Sequence, residues 1–124
     1  MPKGRLEHAN ISVTDPDRSA ALLIDLLDWH IRWSGPSMND GRTIHVGSSE
    51  DYVSLYTNRE VAGDYRKGQP LNHVAFAVDD LDAAEAVVVK HGLKPFSHTQ
   101  YDPGPRSFYF FDWDGIEFEV VSYE

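Results

Sequence analysis

The chain has 124 residues, 41% of them hydrophobic and 25% charged, a make-up that fits an ordinary folded domain and excludes a disordered one. It carries no cysteine, so disulfides, thiolate zinc sites and cysteine nucleophiles are ruled out. A formal charge of −9 without any basic stripe argues against a nucleic-acid partner, because surplus carboxylates repel a phosphate backbone.

In chain order, Leu6 to Val13 alternates and ends in β-branched residues, which predicts a strand. Asp15-Pro16-Asp17 then offers a helix N-cap followed by proline in the first turn, ahead of the helically spaced SAALLIDLL. Short strands are expected at Ile31 to Trp33, Thr43 to Gly47 and Tyr52 to Thr57, with turns at Gly35-Pro36 and Asn39-Asp40-Gly41. The longest apolar stretch, Ala20 to Leu27, is interrupted by Asp25 and is too short to span a bilayer. With no apolar leader-like core near Met1, a cytoplasmic location and no membrane partner are expected.

The order then repeats. Leu71 to Val78 reads as a strand, Asp80 caps a helix running to about His91, and Gly92 ends it. Lys94 to His98, Ser107 to Phe111 and Ile116 to Ser122 are strand-like, with turns at Gly104-Pro105 and Asp112-Trp113-Asp114-Gly115. A shift of 65 positions carries His8 onto His73, Val13 onto Val78, Asp15 onto Asp80 and Ser54 onto Glu119. The expected fold is therefore α+β: two βαβββ modules, 1–58 and 71–124, joined by a polar linker 59–70. The modules are expected to pair into one curved sheet or half-barrel with the helices outside.

Strand parity selects the inward residues. Ile11 and Val13 suit packing on a helix, so His8, Asn10 and Ser12 turn to the other, concave face. By the same rule His73, Ala75 and Ala77 face inward in the second module, as do Glu117, Glu119 and Val121 of its last strand. A lone strand histidine is usually structural and a lone glutamate near the C-terminus usually solvated. Two histidines in one slot of a repeat, with a glutamate on their face, point instead to a metal site of His8, His73 and Glu119, with Glu117 as the fallback ligand. Two imidazoles and a carboxylate leave positions open for substrate and suit Fe(II), with Mn(II), Zn(II) or Ni(II) as alternatives.

The paired starts LEHANISV and LNHVAFAV, with the ending SFYFFDWDGIEFEVV, resemble the vicinal oxygen chelate superfamily over essentially the whole chain. That superfamily includes glyoxalase I, fosfomycin-resistance thiol transferases, bleomycin-resistance proteins and extradiol dioxygenases. The match has Trp113 in place of the usual proline, and it implies the same three metal ligands. The four-ligand glyoxalase pattern fits less well, because Ser54 stands where it needs a carboxylate. Similarity to the extradiol signature implies His98 as an acid/base and Tyr109 as a substrate-oxygen contact, which makes ring cleavage the leading expectation. Glyoxalase-like or fosfomycin-type thiol-transfer chemistry is the runner-up, and a metal-free drug-binding protein is the alternative of another class. Asn10, Ser54, Ser107 and Arg106 are the expected substrate contacts, and Arg66 and Lys67 are candidate partners for an anion. The resemblance further implies a small-molecule substrate and a homodimer.

Overall fold

The computed structural model describes all of residues 1–124, and the chain divides into two compact units, Met1–Ala62 and Gly63–Glu124. The first unit holds β1 (His8–Ser12), α1 (Pro16–Leu27), β2 (His30–Ser37), β3 (Gly41–Gly47) and β4 (Tyr52–Thr57). The second holds β5 (Val74–Ala77), α2 (Leu81–Lys90), β6 (Phe96–Gln100), β7 (Arg106–Phe111) and β8 (Glu117–Ser122). Each unit is a βαβββ module with its own four-stranded sheet, ordered β1-β4-β3-β2 in one and β5-β8-β7-β6 in the other. Neither helix is long and apolar enough to cross a membrane.

The repeat seen in the sequence is a repeat of hydrogen-bond register. The parallel pair β1–β4 sets Ala9 against Val53 and Asn10 against Ser54. The pair β5–β8 sets Val74 against Phe118 and Ala75 against Glu119, the same partners 65 positions on. Both helices start as expected: Asp15 accepts from the Arg18 N–H at 3.1 Å and Asp80 from the Ala83 N–H at 3.0 Å.

Alternation builds each core. In the first module Ile44, Val46, Val53 and Leu55 are buried together with Leu22, Leu23 and Leu26 of α1. In the second, Phe108, Phe110, Phe118 and Val120 are buried with Leu81, Ala84 and Val88 of α2. Their neighbours in sequence point to the opposite face, where Ser54, Ser107, Tyr109, Glu117 and Glu119 stand.

One local reading is corrected. Gly35-Pro36 is not a turn but lies within β2, with Pro36 opposite Arg42. Proline is tolerated because β2 is an edge strand, where its missing N–H breaks no ladder. The reversal comes later, at Asn39 and Asp40, both with positive φ as in a type I′ hairpin, closed by Gly41 N–H to Met38 O at 3.0 Å. The second half of the polar stretch 59–70 also belongs to the second unit. Tyr65 N–H bonds Asp114 O at 2.8 Å, and Lys67 pairs with Glu117.

Candidate metal centre

His73 lies just before β5, and Glu119 lies on β8, which pairs with β5. The His73 Nε2 and the Glu119 Oε1 stand 3.2 Å apart. Two donors about 2.1 Å from one ion sit about 3.0 Å apart at a right angle and about 3.4 Å apart at the tetrahedral angle. The observed spacing falls between these, so the pair fits two adjacent positions around a divalent cation. The other ring nitrogen, Nδ1, is 2.8 Å from Asn72 Oδ1. With Asn72 Oδ1 beside Nδ1, Nε2 is the ring nitrogen turned toward Glu119, the arrangement of a ligating histidine held from its far side.

Tyr109, opposite Glu119 on β7, completes this face. Its ring meets His73 edge-on at 5.6 Å, and its hydroxyl hydrogen-bonds Glu119. Burial first, then the adjacent Glu119 charge and that hydrogen bond, push the phenol above its ordinary pKa of 10.0. It therefore stays protonated at neutral pH as a hydrogen-bond donor.

Glu117 occupies the other side of the imidazole. Its carboxylate is buried, forms an ion pair with Lys67, and comes no closer than 4.0 Å to His73 Nδ1. The ring thus separates the two carboxylates. Glu119 approaches Nε2, and Lys67 is engaged with Glu117.

In the first module His8 repeats the arrangement. Its Nδ1 is 2.8 Å from Glu7 Oε1, and its ring stacks on Tyr52 at 4.7 Å and 10°. Tyr52 in turn meets His45, and His45 meets Trp33, so four rings form a row across all four strands. The Arg32 guanidinium lies 4.5 Å from the Tyr52 ring centre. Burial, followed by the His8 and Arg32 charges, holds His45 below an ordinary imidazole, against an opposing pull from Glu7. Asn10 is exposed on β1 and pairs in register with the buried Ser54. Within the single chain, no three His, Asp or Glu side chains gather into a metal-holding group.

Three expected contacts are engaged elsewhere. His98 Nε2 is 3.0 Å from Glu85 Oε1 of α2, and its ring approaches the core residue Phe108. The cause is a bulge: Phe96 pairs with Tyr109, but Thr99 rather than residue 98 pairs with Ser107. One extra residue, with Ser97 at φ 51, turns His98 to the helix side. Arg106 also lies on that side, bound to Asp82 at 2.9 Å. Ser107 stays on the His73 face, but it is buried and bonded to Thr99 at 2.8 Å.

Sequence reasoning missed Glu7, Asn72, Tyr52 and His45, and it offered Lys67 only as a partner for an anion. The repeat held part of the signal, since the 65-residue shift carries Glu7 onto Asn72 and Tyr52 onto Glu117.

Two βαβββ modules, each with its own sheet, and an imidazole and a carboxylate on the face away from the helix in the second, define a class of duplicated α+β proteins. Residues 5–120 match the model of the Glyoxalase/Bleomycin resistance protein/Dioxygenase superfamily, and the chain belongs to that family. No curated protein matches it. Among solved structures it is similar to the fosfomycin resistance protein FosX from Mesorhizobium loti. That similarity is 27% identity over 97% of this chain and 91% of that one, at a TM-score of 0.73. It also shares the fold of a glyoxylase/bleomycin resistance protein/dioxygenase domain from Frankia sp. EAN1pec, with 21% identity, complete coverage of both chains and a TM-score of 0.82. A third is FosX from Listeria monocytogenes, complexed with Mn(II) and sulfate, with 18% identity over 98% of this chain and 93% of that one, at a TM-score of 0.76.

Proposed function

We propose that this protein is a divalent-metal-dependent enzyme that grips a small substrate through two neighbouring oxygens. In this reading His8, His73 and Glu119 hold the ion. The observation that carries it is the 3.2 Å approach of His73 Nε2 to Glu119 Oε1, with the far nitrogen of the ring already bonded to Asn72. His8 belongs to the other module and meets the pair from a second copy of the chain, in a homodimer. The donor set accepts Fe(II), Zn(II), Ni(II) or Mn(II). Mn(II) is the first ion to test, since the Listeria FosX holds it.

The ion, when bound, polarises the substrate oxygens as a Lewis acid. Tyr109, kept protonated by burial and by Glu119, donates a hydrogen bond at the edge of the site and helps orient the substrate. The extradiol reading needs an acid/base beside the ion, and its candidate His98 is committed to Glu85 on the helix side. Fosfomycin-type chemistry, in which water or a thiol adds to a small oxygen-rich substrate, therefore ranks ahead of ring cleavage.

The test is metal content and turnover on one preparation. Wild type loaded with Mn(II) should retain about one ion per chain, His73→Ala should lose it, and fosfomycin should be consumed with water or a thiol. Oxygen uptake with a catechol panel would instead favour the dioxygenase reading. Tight drug binding with no metal and no turnover would place the chain among the drug-binding relatives.

A further inference from the structure

Glu117 is the most deeply buried acid near the site, with its side chain only 3% exposed. A carboxylate so far from water needs a counter-charge, and the structure supplies one from outside the sheet, Lys67. Lys67 reaches it because the preceding chain is fastened down. Tyr65 N–H bonds Asp114 O at 2.8 Å, Gly68 N–H bonds Leu71 O at 2.7 Å, and Gly115 has no side chain to push Tyr65 away. A Cβ at Gly115 would sit 2.7 Å from the Tyr65 carbonyl oxygen.

The position of Glu117 has a counterpart. In the first module the equivalent residue is Tyr52, and its ring lies flat against His8 at 4.7 Å. The same register position lies beside the imidazole in both halves, stacked on it in one and 4.0 Å from Nδ1 in the other.

We propose that Lys67 is a positioning residue for the metal centre. By pairing with Glu117 it holds that carboxylate on the Nδ1 side of His73, out of the ion's reach, and leaves Nε2 and Glu119 as the metal-facing pair. This assignment rests on the reading of His73 and Glu119 as ligands. It predicts that the choice between two glutamates on one strand face is made by a lysine about fifty residues away in sequence.

The test compares Lys67→Met, Lys67→Arg and Glu117→Gln by calorimetric titration with Mn(II), alongside thermal melts. Lys67→Met should bind Mn(II) about 10-fold or more weakly, the loss usual when a residue outside the ligand set that orients the ligands is removed. Lys67→Arg should recover most of that affinity, and the double variant Lys67→Met/Glu117→Gln should lose no more than Lys67→Met alone. A second readout is the pair of His73 ring-nitrogen shifts in metal-free protein, which should change in Lys67→Met because the unpaired Glu117 carboxylate is then free to move against Nδ1. A folded Lys67→Met with wild-type Mn(II) affinity and unchanged ring shifts would overturn the proposal and reduce the ion pair to a staple between the linker and β8. If Lys67→Met does not fold, Lys67→Arg and Glu117→Gln carry the same comparison. If wild type binds no Mn(II), the metal reading fails, and the ring shifts still decide whether Lys67 positions His73.

Discussion

If His8 joins His73 and Glu119 from a second copy, a chain lacking His8 and a chain lacking His73 should repair each other. His8→Ala and His73→Ala are each expected to bind little Mn(II) as pure proteins. In a heterodimer, one site inherits both alanines and the other inherits neither. Random subunit exchange makes about half of all dimers mixed, so about a quarter of the wild-type binding capacity should return. The single chain gathers no group of three donors, so nothing above the parent values is expected without exchange. Equilibrium dialysis with Mn(II) measures the recovery, and differently tagged chains confirm that mixed dimers have formed. Mixed dimers that bind no more metal than their parents would refute the shared site, since three donors on one chain cannot be restored by mixing.

His98→Ala should leave Mn(II) binding unchanged and lower stability in urea by less than about 1 kcal/mol, because it removes only a half-exposed ion pair with Glu85. A large fall in metal affinity would show that His98 serves the site after all. Gly115→Ala should cost about 1–2 kcal/mol, because φ there is 88° and a side chain meets the Tyr65 carbonyl. An unchanged urea midpoint would contradict that strain. His45 should titrate below the ordinary imidazole value of 6.5. The unfolded chain then binds that proton more readily, so this contribution to stability is intact above 6.5 and is lost as pH falls through the folded value. Proton NMR reads the midpoint, Arg32→Gln should raise it, and a wild-type midpoint at or above 6.5 would contradict the burial argument.

What was legible in the sequence is what alternation and repetition encode. The pairing of Asn10 with Ser54 and of Ala75 with Glu119 follows from one shift, and the faces of β4 and β8 follow from parity. The Asp112 turn was also readable, and its carboxylate accepts from the N–H groups of Asp114 and Ile116. Features that depend on one misplaced residue or one distant contact were hidden. The bulge at Ser97 and His98 reverses a side chain without any mark in the local pattern. Pro36 looked like a turn because nothing nearby says that β2 is an edge. Lys67 read as a candidate partner for an anion rather than for Glu117, because Glu117 lies far along the chain.

The doubled register has a consequence for how such a chain can change. Residues that pack against the helix look one way along every strand, and most of the candidate site residues look the other. The first half has come to carry Tyr52, Ser54 and His45 where the second carries Glu117, Glu119 and Tyr109, while both keep the same backbone partners. One surface is free to drift from aromatic to acidic because the other is not required to move with it. New chemistry on this scaffold costs substitutions rather than refolding.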